Sequence, residues 1–329
     1  MGVAVWHPRG VSTGAADPFA EHRQRVLRAA EYIVTHIGEP LRVADVARVA
    51  FMSEFHFHRV FAGVMHESVW QFVLRRRMEV GALMLAYHPW RSVTEIGIAC
   101  GFATTASFSK AFSGYFGCRP SDVRRGRGSE SRIGQLTRRH GKDFSPRDLY
   151  SLPDPIDGEL RKEKIQAIER GLRFEQRAET PLACLRSPAG YDTAAVLATW
   201  DELITRGRQL GFCEEAVDAF GIPHDSPSLT APELRRYDAC VPVQAGTVLP
   251  APLFHGALPA GRYAVFRYEG PVLGIEEMFR GIYSLWFPAS SLSPDDRFMP
   301  VDHYIHDAPT GGLVDMEILI KVQPRGSPR

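Results

Sequence analysis

From about residue 19 to residue 125 the apolar positions recur at helical spacing, broken only by short Gly- or Pro-marked turns, and no alternating β-branched run interrupts them. That pattern predicts an all-α segment. Within it, residues 43–50, a two-residue break, and Ser53 opening a helix over 54–64 read as short helix, tight turn, N-cap and second helix. The same grammar returns over 92–100, Gly101-Phe102, and a helix opened by Thr104 that runs to about Tyr115. Phe57-His58-Arg59-Val60-Phe61 repeats as Phe108-Ser109-Lys110-Ala111-Phe112, so a whole helix-turn-helix is duplicated. Residues 1–18 show no periodicity and read as a tail. Residues 126–171 are rich in Arg, Ser, Gly and Pro and read as a linker with one short charged helix near 161–170. Beyond Leu172 short apolar strands alternate with helical stretches up to about residue 323, leaving 324–329 as a second tail. The predicted architecture is an all-α bipartite helix-turn-helix domain followed by an α+β domain.

Helical geometry sorts each second helix into faces. Phe57, Val60, Phe61 and Val64 turn inward, which leaves Phe55, His58, Arg59 and Ala62 outside; in the repeat Phe108, Ala111, Phe112 and Tyr115 turn inward and Ala106, Ser109, Lys110 and Ser113 stay outside. Arg59 and Lys110 thus hold equivalent outward positions. A guanidinium forks onto guanine O6 and N7, and a helix N-terminal segment in the major groove presents such side chains to bases. A lone outward Arg would read as part of a solvated face, and the duplication favours the DNA-facing reading. A helix over 69–87 joins the units and spans roughly 27 Å at 1.5 Å per residue, which brings two successive major grooves within reach. Arg75, Arg76 and Arg77 on it, with Arg124 and Arg125 at the domain end, are candidate phosphate contacts; a solvated charge run is the alternative.

Charge supports this division. The net +1 hides 21 basic against 13 acidic residues up to Tyr150, or +8, and hence −7 beyond it. An anionic polymer is therefore a partner for the first part only. No apolar run reaches the ~18 residues that span a bilayer and the N-terminus has no secretory pattern, so a cytoplasmic protein without a membrane partner is expected. The five cysteines lack C-x-x-C or metal spacing and are expected to be core thiols, with no metal and no cofactor.

The acidic part is also duplicated. Residues 182–186 parallel 263–267, each followed by a helix with a central aromatic, Trp200 or Phe279. His224-Asp225-x-Pro227 parallels His306-Asp307-x-Pro309, and the strand 238–243 parallels 317–322. Duplicated strand-helix-strand-strand units of this kind leave a cleft where the halves face each other. Trp200, Tyr237, Tyr268, Phe279, Tyr283, Trp286 and Tyr304 are candidate walls for it, and Asp238 and Glu317 candidate acids. Aromatic faces with a buried carboxylate suit a lipophilic cation. Core packing for the rings, and a solvent-facing strand position for Glu317, are the alternatives.

Two resemblances follow from these motifs. Residues 20–125 resemble the bipartite DNA-binding domain of the arabinose-regulator family through Ser53-x-Phe55-His56-Phe57-His58-Arg59-x-Phe61, Val93-Thr94-Glu95-Ile96-x-x-x-Cys100-Gly101-Phe102 and Phe116-Gly117-x-x-Pro120-x-x-x-Arg124. Phe51 departs from the glycine usual at the first turn, and Thr105-Ala106 from polar base readers, leaving Ser107 and Lys110 to position the second unit on the backbone. Residues 172–323 resemble the gyrase-inhibitor-like effector-binding domain of multidrug-responsive activators through 236–243, 261–271 and His306-Asp307, with Glu317 at the position of a ligand-contacting acid. Lys321 departs from the proline usual there. The resemblances imply a transcriptional regulator, not an enzyme, that binds promoter DNA and a small hydrophobic effector, a cationic one being suited, with RNA polymerase as a further candidate partner. Relatives of the second domain also imply an alternative, a hydrolase acting on electrophilic compounds through Glu317 and a nearby Tyr, and a protein-binding domain is a third reading.

Overall fold

The computed structural model describes residues 18–124, 158–213, 218–226, 229–271, 274–304 and 313–325. The helical part contains α1 (Pro18–Thr35), α2 (Val43–Val49), α3 (Glu54–Met65), α4 (Val69–Tyr87), α5 (Val93–Ala99), α6 (Thr105–Phe116) and α7 (Pro120–Arg124). Each helix-turn-helix opens on the side chains its sequence offers. Ser53 accepts from His56 N at 3.4 Å, while Ser92–Glu95 and Thr104–Ser107 close reciprocal capping boxes. Phe57 and Phe61 are fully buried, as are Phe108 and Phe112, so the inward faces are those the periodicity predicts; Val60, Val64, Ala111 and Tyr115 are half-buried.

The two turns differ at one residue. Gly101 has φ 80°, where a Cβ would press on Ile37 O at 2.8 Å, and Phe51 takes the same left-handed region at φ 54° with its ring 71% exposed. A side chain there is strained by about 1–2 kcal/mol, partly offset in glycine by unfolded-state freedom. Phe51→Gly is therefore expected to raise stability by about 0.5–1 kcal/mol, read as a higher denaturation midpoint, because almost no packing is lost.

The second part begins with α8 (Gly158–Glu169), whose Ile168 packs in the core of the sheet domain, so the predicted linker helix is a component of that domain. Its strands are β1 (Leu172–Arg177), β2 (Thr180–Arg186), β3 (Ala219–Pro223), β4 (Tyr237–Pro242), β5 (Phe254–Leu258), β6 (Gly261–Pro271), β7 (Leu292–Pro294), β8 (Val301–Tyr304) and β9 (Leu313–Pro324). They form one antiparallel sheet in the order β1-β6-β9-β8-β3-β4-β2-β5, with β7 on β9. The order reads symmetrically about the β3–β8 seam, where Ala219 pairs Tyr304, Phe220 pairs His303 and Gly221 pairs Asp302. The duplicated units are thus β2–α9–β3–β4 and β6–α10–β8–β9. Here α9 is Thr193–Leu210, and α10 (Ile275–Gly281) continues through a π-helical turn (Ile282–Trp286) into α11 (Phe287–Ala289). Both helices cover one face of the sheet. His306, Asp307, Arg125, residues 1–17 and 326–329 and most of the linker lie outside the described residues. Among the described residues no helix is long and apolar enough to cross a membrane.

Candidate DNA-facing helices and ligand-facing sheet

On α3, Arg59 and Phe55 are exposed and His58 is half-buried; on α6, Ala106 and Lys110 are exposed and Thr105 is half-buried. Their hydroxyl neighbours are engaged locally. Ser53 caps α3; Thr105 Oγ1 donates to Thr94 Oγ1 at 2.9 Å, tying α6 to α5. Ser107 Oγ accepts from Thr104 N at 3.3 Å, closing a capping box, and donates to Thr104 O at 2.8 Å, so the hydroxyl expected to touch DNA is engaged locally. Arg59 and Lys110 are left as the exposed cations of α3 and α6, and no described residue pairs with either.

The arginines assigned to phosphate are placed otherwise. Arg75 and Arg76 are each 3% exposed. Arg75 holds Glu67, Glu79 and Asp225, and Arg76 holds Glu79, which removes both from any DNA surface. Arg77 donates to Ile37 O and Glu39 O; Arg124 donates to His88 O at 2.7 Å and Arg91 O at 2.6 Å. These two fasten the ends of α1 and α4 to their neighbours. A buried cation without a partner is too expensive to keep, so an Arg run inside a folded helix is more often read by acids than by phosphates.

In the sheet domain, parity decides. Successive strand residues point to opposite faces. Trp200, Tyr237, Trp286 and Tyr304, with the half-buried Tyr268, Phe279 and Tyr283, all belong to the core on the helix-covered face. Asp238 follows Tyr237, and Glu317 lies between Met316 and Ile318 of that core, so both acids point to the other face. The predicted cleft of aromatics closing on these two carboxylates is therefore not formed.

Each acid instead sits in an equivalent cluster on the opposite face, whose Cys184, Phe220, Cys240 and Leu319 share one core with α1–α4. Arg186 grips Asp238 with Nε at 2.7 Å and Nη2 at 2.8 Å, and His224 Nε2 lies 2.6 Å from it. Arg173 grips Glu317 through both guanidinium ends, and His303 Nδ1 lies 3.0 Å from it. In both units the histidine precedes the acid by fourteen residues, which makes His303 the contact equivalent of His224. Burial works to raise both carboxyls, and the Arg and His partners outweigh it, holding each below the ordinary carboxylate range. Burial also pushes the His224 imidazole down, against the Asp238 carboxylate that favours its charged form. Cys184 and Cys240 pair across β2 and β4 two residues from Arg186 and Asp238, as buried free thiols, Sγ to Sγ 3.0 Å.

One acid does share the aromatic face. Asp302 stands opposite Gly221 on the seam, where a Cβ at Gly221 would overlap the Tyr237 hydroxyl. Tyr237 accepts from Trp200 Nε1 at 3.2 Å, and Trp200 meets Tyr304 edge to face at 5.7 Å. No described residue hydrogen-bonds the Asp302 carboxyl, and burial pushes it up to about 7. A raised folded value means a stability contribution that is full below the ordinary 3.8 and lost as pH rises to about 7. Asp302→Asn is accordingly expected to match wild type at pH 4 and to exceed it at pH 8 by about 1–3 kcal/mol in chemical denaturation. The sequence signal that would have found Asp302 is its parity with Tyr304.

Known proteins resemble the two parts separately. Residues 46–126 match the helix-turn-helix domain family, and residues 172–323 match the GyrI-like small molecule binding domain. The probable transcriptional regulator LumQ of Photobacterium leiognathi is 30% identical over 90 residues, 27% of this chain and 36% of that protein. The regulatory protein SoxS of Salmonella typhimurium is 29% identical over 103 residues, 31% of this chain and 95% of SoxS. A solved transcriptional regulator of Chromobacterium violaceum with an AraC-type DNA-binding domain is 25% identical over 32% of this chain and 93% of that one, with a TM-score of 0.30. The chain spans only about a third of the length of LumQ. With its duplicated helix-turn-helix and its pseudo-twofold sheet each matched in turn, the chain joins a domain of the helix-turn-helix family to a GyrI-like small molecule binding domain.

Proposed function

We propose that this protein is a transcriptional regulator that reads double-stranded promoter DNA with α3 and α6 and senses a small hydrophobic compound with its sheet domain. The observation that carries the DNA reading is the pair of exposed cations, Arg59 and Lys110, at matching positions of two capped helices joined by the single 19-residue helix α4. Selecting bound duplexes from a random pool tests it. The full chain is expected to enrich a bipartite site, and recovery of unenriched sequence would refute it.

For the effector we assign the seam on the aromatic face, where Asp302, Tyr237, Tyr304 and Trp200 meet. The rings supply apolar and quadrupolar surface, and the carboxyl, held up near 7 by burial, ionises readily once a cation arrives. Affinity for a lipophilic cation such as tetraphenylphosphonium is expected to rise about tenfold between pH 6 and pH 8 and to lose that rise in Asp302→Asn. A pH-independent affinity in wild type, measured by calorimetry, would contradict the assignment. A hydrolase built on Glu317 finds no support, because Arg173 and His303 surround that carboxylate where a tyrosine and water were required.

A further inference from the structure

We propose that a buried, charge-balanced lock fastens α4 to the sheet domain and makes that domain part of the scaffold that sets the two reading helices. Three acids and three arginines form it. Glu67 and Glu79 with Arg75 and Arg76 come from the helical domain; Asp225 and Arg236 come from the turn after β3 and the residue before β4. Arg75 Nη1 reaches Glu79 at 3.1 Å and Asp225 at 2.9 Å, and Arg236 closes on Asp225 through Nε and Nη2 at 2.8 Å each. Thr230 Oγ1 donates to Glu79 Oε1 at 2.6 Å across the same boundary, and the Phe72 ring lies under the guanidinium groups of both Arg75 and Arg236, 5.3 and 5.0 Å away.

Every charge meets a counterion, the buried Arg76 Nε alone lacking an acceptor among the described residues, and the sum of charge is zero. Burial works to raise the Asp225 carboxyl, but Arg236, Arg75 and Arg76 hold it far below the ordinary range. Such a network has two favourable arrangements. Dry and complete, each charge meets its counterion; opened, all six return to water. A half-broken lock strands a charge in the interior and is the costly intermediate. That is the physical basis of a two-state element rather than a graded one.

Its position gives it a consequence. The lock holds the first half of α4 to the first β-unit, while Tyr87 meets Tyr283 at 5.0 Å and Arg325 lies 3.9 Å over the Trp90 ring, joining the far end of α4 to the second unit. The helix that spaces α3 from α6 therefore straddles the seam on which the duplicated units pair. Resting on the effector reading above, a compound that shifts one unit against the other must bend, release or tighten the support of α4, and so alter the geometry offered to DNA.

The test uses the full chain. Wild type is expected to unfold in one transition. Asp225→Asn keeps the shape and unbalances the lock, and is expected to split unfolding into two transitions, to raise the radius of gyration in small-angle scattering, and to change affinity for the selected duplex by about five- to tenfold while far-UV circular dichroism is retained. Thr230→Val removes only the neutral bond to Glu79 and is expected to shift the same readouts in the same direction by a smaller amount. Asp225→Asn that stays compact with wild-type affinity would overturn the proposal. If Asp225→Asn loses its secondary structure, Thr230→Val decides, and wild-type behaviour from it would overturn the proposal as well. The scattering and unfolding readouts need no DNA, so failure of the DNA reading leaves the lock separately judged.

Discussion

Asp238→Ala is expected to lower the stability of the full chain by about 3–5 kcal/mol, because it strands the largely buried Arg186 guanidinium and leaves the half-buried His224 ring without their shared acceptor. The carboxyl is 3% exposed, too dry for water to replace the lost partner. The penalty belongs to the stranded cation, and so Arg186→Met in the Asp238→Ala background should return a large part of it. Equilibrium denaturation of the two single variants and the double variant measures that coupling. A loss below about 1 kcal/mol for Asp238→Ala would mean that the cluster is hydrated and acts as a surface pair. Acid should weaken wild type by the same route. Both Asp238 and His224 titrate below their ordinary values in the folded protein, so their contribution is complete above the ordinary imidazole range and is lost progressively as pH falls through it and then through the carboxylate range.

Arg59→Ala is expected to weaken specific DNA binding by about 1–3 kcal/mol and to flatten preference at one base pair, since a bidentate guanine contact carries both affinity and discrimination. Lys110→Ala should act differently. The second unit has the apolar Ala106 at an exposed position of α6, and its Ser107 hydroxyl is occupied in the capping box, which leaves Lys110 as the exposed cation of that helix. Its removal should weaken all sequences alike and lower the salt slope by about one. Titrations of both variants at two salt concentrations against matched and scrambled duplexes distinguish these outcomes. Equal, sequence-independent losses for both would place Arg59 on phosphate as well.

The helical domain was largely legible because its determinants are local. Aromatics at i and i+4, a Ser or Thr three residues ahead of a capped N–H, and a residue forced to positive φ at each turn are all within one turn of the chain. Phe51 obeys the same turn geometry as Gly101 even though its residue type argues against it. The arginines of α4 were misread for the opposite reason. Glu67 and Glu79 lie within eight residues of Arg75, but Asp225, which completes the buried site, lies 150 residues from it and in no local window. The sheet domain shows a third case. Its duplication was visible, but aromatics and acids were pooled into one cleft although Tyr237 and Asp238 are adjacent in one strand and must face opposite ways. Strand parity alone would have split the set, joined Asp302 to the rings and matched His303 to His224 at a constant distance from the acids.

Hydroxyl-radical footprinting of the full chain on its selected duplex tests the central claim most directly. Two helices presented by one α4 spacer should protect two patches on the same face of the DNA, about 10–10.5 base pairs apart, with the Arg59→Ala variant losing the patch beneath α3 and retaining the other. A single protected patch, or protection spread evenly along the duplex and unchanged in Arg59→Ala, would contradict bipartite reading.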